Sequence, residues 1–227
     1  MPITILFQGD SITDAERLRS DDLFRGHGYA TLISAKLGFD YPNKYAFINR
    51  GIKNNTVVDL YNRRKEDIFN LKPDIMSILI GVNDAAVHNS TPENPDGVCE
   101  KIYKKTYTEL INETLTNFPY MKIMILEPFL LPGSLSSRGE PDVYPAFRHE
   151  VELRAYVARK VAESFNLPLI ELQSLFDDAC KLAPAEYWLF DGVHPTAAGH
   201  MLIAKEWLAA FSKISKSLYP DYRTIGR

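Results

Sequence analysis

Short apolar runs alternate with longer segments of helical period along this chain, and that alternation restricts the fold more than any other feature. Ile3–Gln8, Tyr45–Asn49, Asp74–Ile80, Lys122–Glu127 and Pro168–Glu171 are each four to seven residues long and rich in Ile, Leu, Val or Phe. None alternates cleanly between apolar and polar residues. Strands covered on both faces, as in a parallel sheet, have this character. Between them lie segments whose apolar residues recur at three and four. These are His27–Leu37, Thr56–Leu71, Val98–Phe118, Phe147–Phe165 and the stripe Ala197, Met201, Ala204, Leu208, Phe211. Strand–helix alternation of this kind predicts a doubly wound α/β sandwich with right-handed crossovers.

No internal repeat, charge block or low-complexity linker interrupts the pattern, so a single domain over residues 1–227 is expected. Two loops stand out. His88–Gly97 carries Pro92, Pro95 and Gly97, and Pro128–Pro145 carries four prolines with Gly133 and Gly139. A loop as long as the second is usually functional or mobile. With 26 basic and 29 acidic residues the net charge is −3, which gives no electrostatic footprint for nucleic acid or an anionic membrane. No apolar run approaches the roughly 20 residues that span a bilayer, so no stable membrane association is expected. Ile3–Phe7 is too short for a signal-peptide core and has no basic residue before it, and Cys99 and Cys180 do not read as a disulfide framework. A cytoplasmic protein with reduced thiols is expected.

In open α/β sheets ligands bind beyond the carboxyl ends of the strands, so the residues following each strand carry the functional argument. After the first come Gly9-Asp10-Ser11-Ile12-Thr13, after the second Asn49-Arg50-Gly51, and after the third Gly81-Val82-Asn83-Asp84. Asp191-Gly192-Val193-His194-Pro195 precedes the last helix. Pro195 suits the first helical position, leaving His194 at the cap and exposed. Asp191, three residues earlier, can accept from the imidazole Nδ1–H and leave Nε2 free as a base. Ser11 closes the first strand on a glycine-permitted turn, and its hydroxyl needs such a base to become a nucleophile. The N–H groups of Ser11 and Gly51 and the amide of Asn83 are candidate donors to an oxyanion. Each segment alone reads equally as a turn or a cap; together they place a nucleophile, two other donors and an acid–base pair at strand ends.

These four segments resemble the blocks of the SGNH hydrolases, the GDSL esterase and lipase family. The namesake Ser, Gly, Asn and His match Ser11, Gly51, Asn83 and His194 in order, and Asp191 matches the acid three residues before the histidine. The first block reads Gly-Asp-Ser-Ile instead of Gly-Asp-Ser-Leu. The resemblance implies a flavodoxin-like, three-layer α/β/α sandwich with a five-stranded parallel sheet. It also implies a serine esterase with a Ser11–His194–Asp191 triad and an oxyanion hole of Ser11, Gly51 and Asn83. Asp10 and Asp84 are expected to brace the loops that carry Ser11 and Asn83. No metal or organic cofactor is required, and the partner expected is a small-molecule ester.

Other readings are weaker. A metal-dependent phosphoesterase would pair histidines on one helix face, but His194 and His200 are six apart. No Gly-x-Ser-x-Gly elbow, phosphate-binding loop or dinucleotide fingerprint occurs. A non-catalytic, esterase-like binding scaffold is countered by the intact Ser11, Asp191 and His194. His27, His88 and His149 read as surface or capping residues, and Trp188 is the one aromatic placed near the Asp191 loop. The expected substrate is a short-chain or acetyl ester, with carbohydrate esters favoured over the lysophospholipase and thioesterase chemistries of the same family. Pro128–Pro145 is the expected specificity rim.

Overall fold

The computed structural model describes residues 2–90, 98–140 and 142–218. Residues 91–97 of the expected loop His88–Gly97, and Pro141 of the second loop, lie outside them. The five predicted strands are all present: β1 (Ile3–Gly9), β2 (Tyr45–Asn49), β3 (Ile75–Leu79), β4 (Lys122–Leu126) and β5 (Leu169–Ile170). They pair in parallel in the order β2-β1-β3-β4-β5. Both faces of this sheet are dry, which explains the unbroken apolar runs. Ile5 and Phe7 of β1, Ile75 and Leu79 of β3, and Met124 and Leu126 of β4 pack on one side. They meet α2 (Tyr29–Asp40), α8 (Leu172–Ala179) and α10 (Ala197–Leu218) there. Leu6, Met76, Ile78, Ile123 and Ile125 point the other way, onto α3 (Val57–Asn62), α5 (Glu100–Asn117) and α7 (Val143–Ser164). Trp207 of α10 is fully buried against Phe7 and stacks on Phe211 at 5.1 Å. A core side chain of that size is worth roughly 3–5 kcal/mol against alanine. The sheet order reverses between β1 and β3, and a doubly wound sheet opens its ligand crevice at such a point.

The helices depart from expectation where caps and prolines decide their ends. Thr56–Leu71 is not one helix. A Thr56–Asp59 capping box starts α3, which stops at Asn62, and a π-helical turn follows over Lys65–Phe69. At the junction, Arg63 donates to the carbonyls of Arg50 and Gly9, which a continuous α-helix would not have to accommodate. α7 begins four residues earlier than predicted because Pro145 sits in its first turn, where its missing N–H has no intrahelical partner to lose. The helix α4 (Val82–Ser90) continues through His88, which was expected to open a loop. α8 was not anticipated, although Leu172, Phe176 and Ala179 are spaced at four and three and are buried.

The stretch Pro128–Pro145 is only partly a surface loop. Phe129, Leu130 and Leu131 are fully or almost fully buried, and Phe129 stacks on Phe176 of α8 with ring centroids 4.4 Å apart. Gln173 seals the segment by accepting from the Leu130 N–H at 2.9 Å and donating back to the Leu130 carbonyl at 3.1 Å. A one-turn helix, α6 (Ser134–Ser137), follows.

Candidate active site

Ser11 is the first residue of a single helical turn, α1 (Ser11–Asp14), at the end of β1. Glycine is required at position 9, since a Cβ there would lie 2.3 Å from Thr13 Oγ1 and 2.4 Å from the Leu79 carbonyl. The Asp10 carboxylate caps the turn by accepting from the Ile12 N–H at 2.9 Å. Ala15, in the left-handed region at φ 43°, ends it after four residues. This geometry holds the Ser11 hydroxyl 3.0 Å from Nε2 of His194.

His194 is oriented from its other nitrogen. Its Nδ1 lies 2.7 Å from Asp191 Oδ2, while Asp191 Oδ1 accepts the N–H groups of Val193 (2.9 Å) and His194 (2.7 Å). Burial pushes the Asp191 carboxyl up, but these hydrogen bonds from His194 and Val193 outweigh it and hold the group below the usual carboxylate range. Pro195 is not the first helical residue as expected. Thr196 takes the cap, its hydroxyl accepting from the Gly199 N–H at 3.2 Å, and α10 starts at Ala197. His194 therefore sits on a short loop held by Phe190 N–H to the His194 carbonyl and by a bridge between Leu189 and Pro195.

The Asp191 loop is clamped from behind by the Leu131–Ser136 segment. The Leu131 N–H donates to the Gly192 carbonyl, and the Leu135 and Ser136 N–H groups donate to the Asp191 carbonyl. Gly133 packs so tightly there that a Cβ would be 2.3 Å from the Asp191 carbonyl carbon and from the Gly192 nitrogen. The long proline-rich stretch is thus a support for the Asp191 loop as well as a wall of the site.

Asn83 reaches the site from the start of α4. Its Nδ2 donates one hydrogen to the Asn55 carbonyl at 3.0 Å, which leaves the second hydrogen for another acceptor. The Gly51 N–H, expected as a donor to the oxyanion, is engaged inside its own loop in this structure. It is donated to Asn49 Oδ1 at 2.8 Å, the Gly51 carbonyl accepts from Arg17 Nε at 2.9 Å, and the Gly51 α-carbon packs on the Thr13–Asp14 backbone. Both polar groups of Gly51 are therefore occupied, and glycine is needed there for close packing. Asn54, three residues on, was not singled out from the sequence. It lies in the left-handed region at φ 65°, lines a cavity with Ser11, Asn83 and His194, and its N–H has no acceptor among the described residues. Asparagine tolerates this conformation better than other non-glycine residues, and that is the signal the sequence carried.

Asp10 and Asp84 are both fully buried, and burial pushes each carboxyl up to about 7 against the pull of backbone N–H bonds, chiefly from Ile12 on Asp10 and from Val57 on Asp84. The Asp84 carboxylate accepts from the Val57 N–H, fixing the loop that carries Asn54 and Asn55. Asn49, buried at the end of β2, ties that strand to α1 through the Thr13 carbonyl at 2.6 Å. Trp188, the last residue of the short helix α9 (Ala185–Trp188), is turned away, its indole N–H donating to the carbonyls of Ala179 and Ala183. The aromatic residue beside the candidate catalytic histidine is Phe190, 61% exposed and stacked on His194 with ring centroids 5.8 Å apart. His27 lines the cleft, and His149 is exposed on α7.

Ser11 and His194 stand between two cavities. The smaller, about 170 Å³, is lined by Asn54, Asn83 and the apolar side chains of Val82, Ala86, Leu135 and Phe147. The larger, about 460 Å³, is lined mostly by polar and charged residues, Asp14, Arg17, Lys53, His27 and His200 among them, with Phe190. No group of three His, Cys, Asp or Glu side chains among the described residues is placed to hold a metal ion. Cys99 and Cys180 are both free, and no helix of the described residues is long and apolar enough to cross a membrane. An imidazole within reach of a serine hydroxyl on one side and a carboxylate on the other can take the serine proton and hold it as imidazolium.

Residues 7–202 match the GDSL-like lipase/acylhydrolase family. An acetylxylan esterase of Geobacillus stearothermophilus is 33% identical over 211 residues, covering 90% of this chain and 91% of its own length. The crystal structure of that organism's acetylxylan esterase superposes with a TM-score of 0.79 at 31% identity, covering 92% of this chain and 93% of its own. An α/β hydrolase from the metagenome of Lake Arreo, Spain, superposes with a TM-score of 0.80 at 31% identity, covering 93% and 97% of the two chains. A family match across most of its length and a one-third-identical relative across nearly all of it place the connection beyond fold alone: the chain belongs to the GDSL-like lipase/acylhydrolase family and is a carboxylic ester hydrolase.

Proposed function

We propose that this enzyme removes short acyl groups, acetyl above all, from carbohydrate esters through a Ser11 acyl-enzyme. The observation that carries this is the unequal pair of cavities sharing Ser11 and His194. The smaller holds the acyl group: its volume of about 170 Å³ falls below the roughly 300–1,000 Å³ of sites for drug-sized ligands. Leu135 of the 128–145 stretch closes it, so that stretch sets acyl length. The larger and polar cleft receives the alcohol, with hydrogen-bonding side chains for hydroxyls and the exposed Phe190 ring as a flat apolar surface for a sugar face. The relative that carries the name acetylxylan esterase supports the same reading.

His194 takes the Ser11 proton as the oxygen attacks the ester carbonyl, and the ionised Asp191 stabilises the imidazolium that forms. The tetrahedral oxyanion is received by the Ser11 N–H, the second hydrogen of Asn83 Nδ2 and the Asn54 N–H. His194 then protonates the leaving alcohol, which departs through the polar cleft. A water entering by that cleft is deprotonated by His194 and releases the acid, restoring Ser11. A panel of p-nitrophenyl esters from acetate to laurate, beside acetylated xylo-oligosaccharides and a lysophospholipid, tests the proposal. The expected result is a kcat/KM that falls at least about tenfold from acetate to octanoate, with the sugar ester the best substrate. A maximum at long chains, or a lysophospholipid cleaved faster than the sugar ester, would overturn it.

A further inference from the structure

His200 is a second histidine of the cleft, beside His194, whose ring proton is placed by its hydrogen bonding. It lies one turn into α10, 3% exposed, with Nδ1 accepting from the Tyr29 N–H at 3.2 Å. That N–H is the first of α2, whose cap, Gly28, has no side chain to satisfy it, so His200 supplies the missing cap from another helix. Glycine at 28 makes room for this, since a Cβ there would be 2.9 Å from His200 Cε1. An Nδ1 that accepts leaves the ring proton on Nε2. Burial, reinforced by His27 and His194 nearby, pushes the imidazole down to about 4, so it stays neutral and keeps that single donor above mildly acidic pH.

Nε2 has no acceptor among the described residues, yet it is not among the buried polar atoms without a partner, and His200 lines the polar cleft beside Ser11 and His194. We infer that the Nε2–H of His200 donates a hydrogen bond to a hydroxyl of the alcohol moiety adjacent to the scissile ester, making His200 a specificity-determining residue for polyol esters. This rests on the carbohydrate reading of the larger cleft. A neutral imidazole suits the task because its one N–H is fixed by a bond made on the opposite side, and it stays neutral as the neighbouring His194 gains and loses its proton.

Two variants separate the cap from the donor. His200→Asn places an amide oxygen near the Nδ1 position, keeping the bond to Tyr29 while removing the donor at Nε2. His200→Gln reaches the Nε2 position with an N–H and gives up the cap. His200→Asn should lose about tenfold in kcat/KM on an acetylated xylo-oligosaccharide, mostly through KM. On p-nitrophenyl acetate, which has no neighbouring hydroxyl, it should stay within about twofold of wild type. His200→Gln should keep the preference for the sugar ester with a lowered melting temperature. A substrate-side deletion completes the cycle. A monoacetylated sugar lacking the vicinal hydroxyl should cost the wild type the same tenfold and cost His200→Asn nothing.

Equal losses on sugar and aryl esters, or a deoxy effect undiminished in His200→Asn, would overturn the inference. If the variant does not fold, a wild-type enzyme insensitive to the missing hydroxyl overturns it alone. A wild-type enzyme without preference for the sugar ester overturns the carbohydrate reading together with it. A preference that survives in folded His200→Asn overturns only the role of His200.

Discussion

Asp191→Asn is the sharpest test of the proposed proton path, because the two residues have the same shape and differ only in which atoms donate. Asp191 Oδ1 accepts two backbone N–H groups, from Val193 at 2.9 Å and His194 at 2.7 Å, and Oδ2 faces His194 Nδ1 at 2.7 Å. The asparagine carbonyl must keep the two N–H groups, since a flipped amide would set its own hydrogens against both. Its NH₂ then occupies the Oδ2 position and donates to Nδ1. The ring proton is forced onto Nε2, 3.0 Å from the Ser11 hydroxyl, where the imidazole can no longer accept. In Ser-His-Asp hydrolases an equivalent change lowers kcat by about 10⁴ through the wrong tautomer. At about 1.36 kcal/mol per decade that corresponds to roughly 5.4 kcal/mol of transition-state stabilisation. All three hydrogen bonds of residue 191 survive in number, so the melting temperature should change little. Steady-state hydrolysis of p-nitrophenyl acetate, run beside a thermal melt, provides the readout. A folded Asp191→Asn enzyme within tenfold of wild-type kcat would refute both the tautomer argument and the role assigned to Asp191.

Gly133→Ala pushes a methyl to within 2.3 Å of the Asp191 backbone without touching substrate. A displacement of about 1 Å in a positioned group costs on the order of 10²-fold, so kcat should fall by about that factor while the enzyme remains folded. Unchanged kcat would show that the loop does not hold Asp191 in place. Asp84→Asn tests the buried carboxyl under Asn54. Its folded pKa of about 7 stands above the ordinary value of 3.8. The neutral form is therefore favoured by folding, and that advantage is complete below pH 3.8 and lost as pH rises through 7. Asparagine cannot ionise, so urea melts should show the variant gaining on wild type by roughly 4 kcal/mol between about pH 4 and pH 8. A difference independent of pH would mean that Asp84 is ionised throughout.

The residues readable from the sequence are those whose placement is decided locally. Asp191 and His194 are three apart on one loop, and Ser11 follows a strand whose apolar run is continuous because both faces of the sheet are covered. What could not be read depends on partners far along the chain. Phe129–Leu131 looks like loop beside its prolines and glycines, and becomes core only because Phe176 and Gln173 arrive more than 40 residues later. Trp188 and Phe190 are two residues apart and equally plausible as the aromatic of the site. The carbonyls of Ala179 and Ala183 decide it by holding the indole N–H. His200 looked like a poor metal ligand at its spacing from His194. Its bond to Tyr29 N–H, 171 residues away, reveals instead a neutral donor on the substrate side.

The choice between Gly51 and Asn54 as oxyanion donor shows why residue identity alone misleads at such a position. A glycine at a strand end suggests backbone exposed to substrate, but Gly51 spends its N–H on Asn49 and presses its α-carbon against α1. What an oxyanion needs is an N–H with nothing to bond in the ground state beside Ser11, and Asn54, whose N–H has no acceptor among the described residues, lines the cavity that Ser11 shares. Asn54 sits in a left-handed turn at φ 65° on the wall of that cavity, and the Asp84 bond to Val57 keeps the loop from relaxing. Replacing a single backbone amide by an ester removes the N–H and leaves every side chain in place. At residue 54 this exchange should lower kcat by about 10²–10³, the usual worth of one oxyanion donor, with little change in melting temperature. At residue 51 it should lower the melting temperature by deleting a buried bond and leave kcat of the folded enzyme nearly intact. The reverse pattern would return the donor role to Gly51, and would require the Asn49 side chain to release it whenever substrate binds.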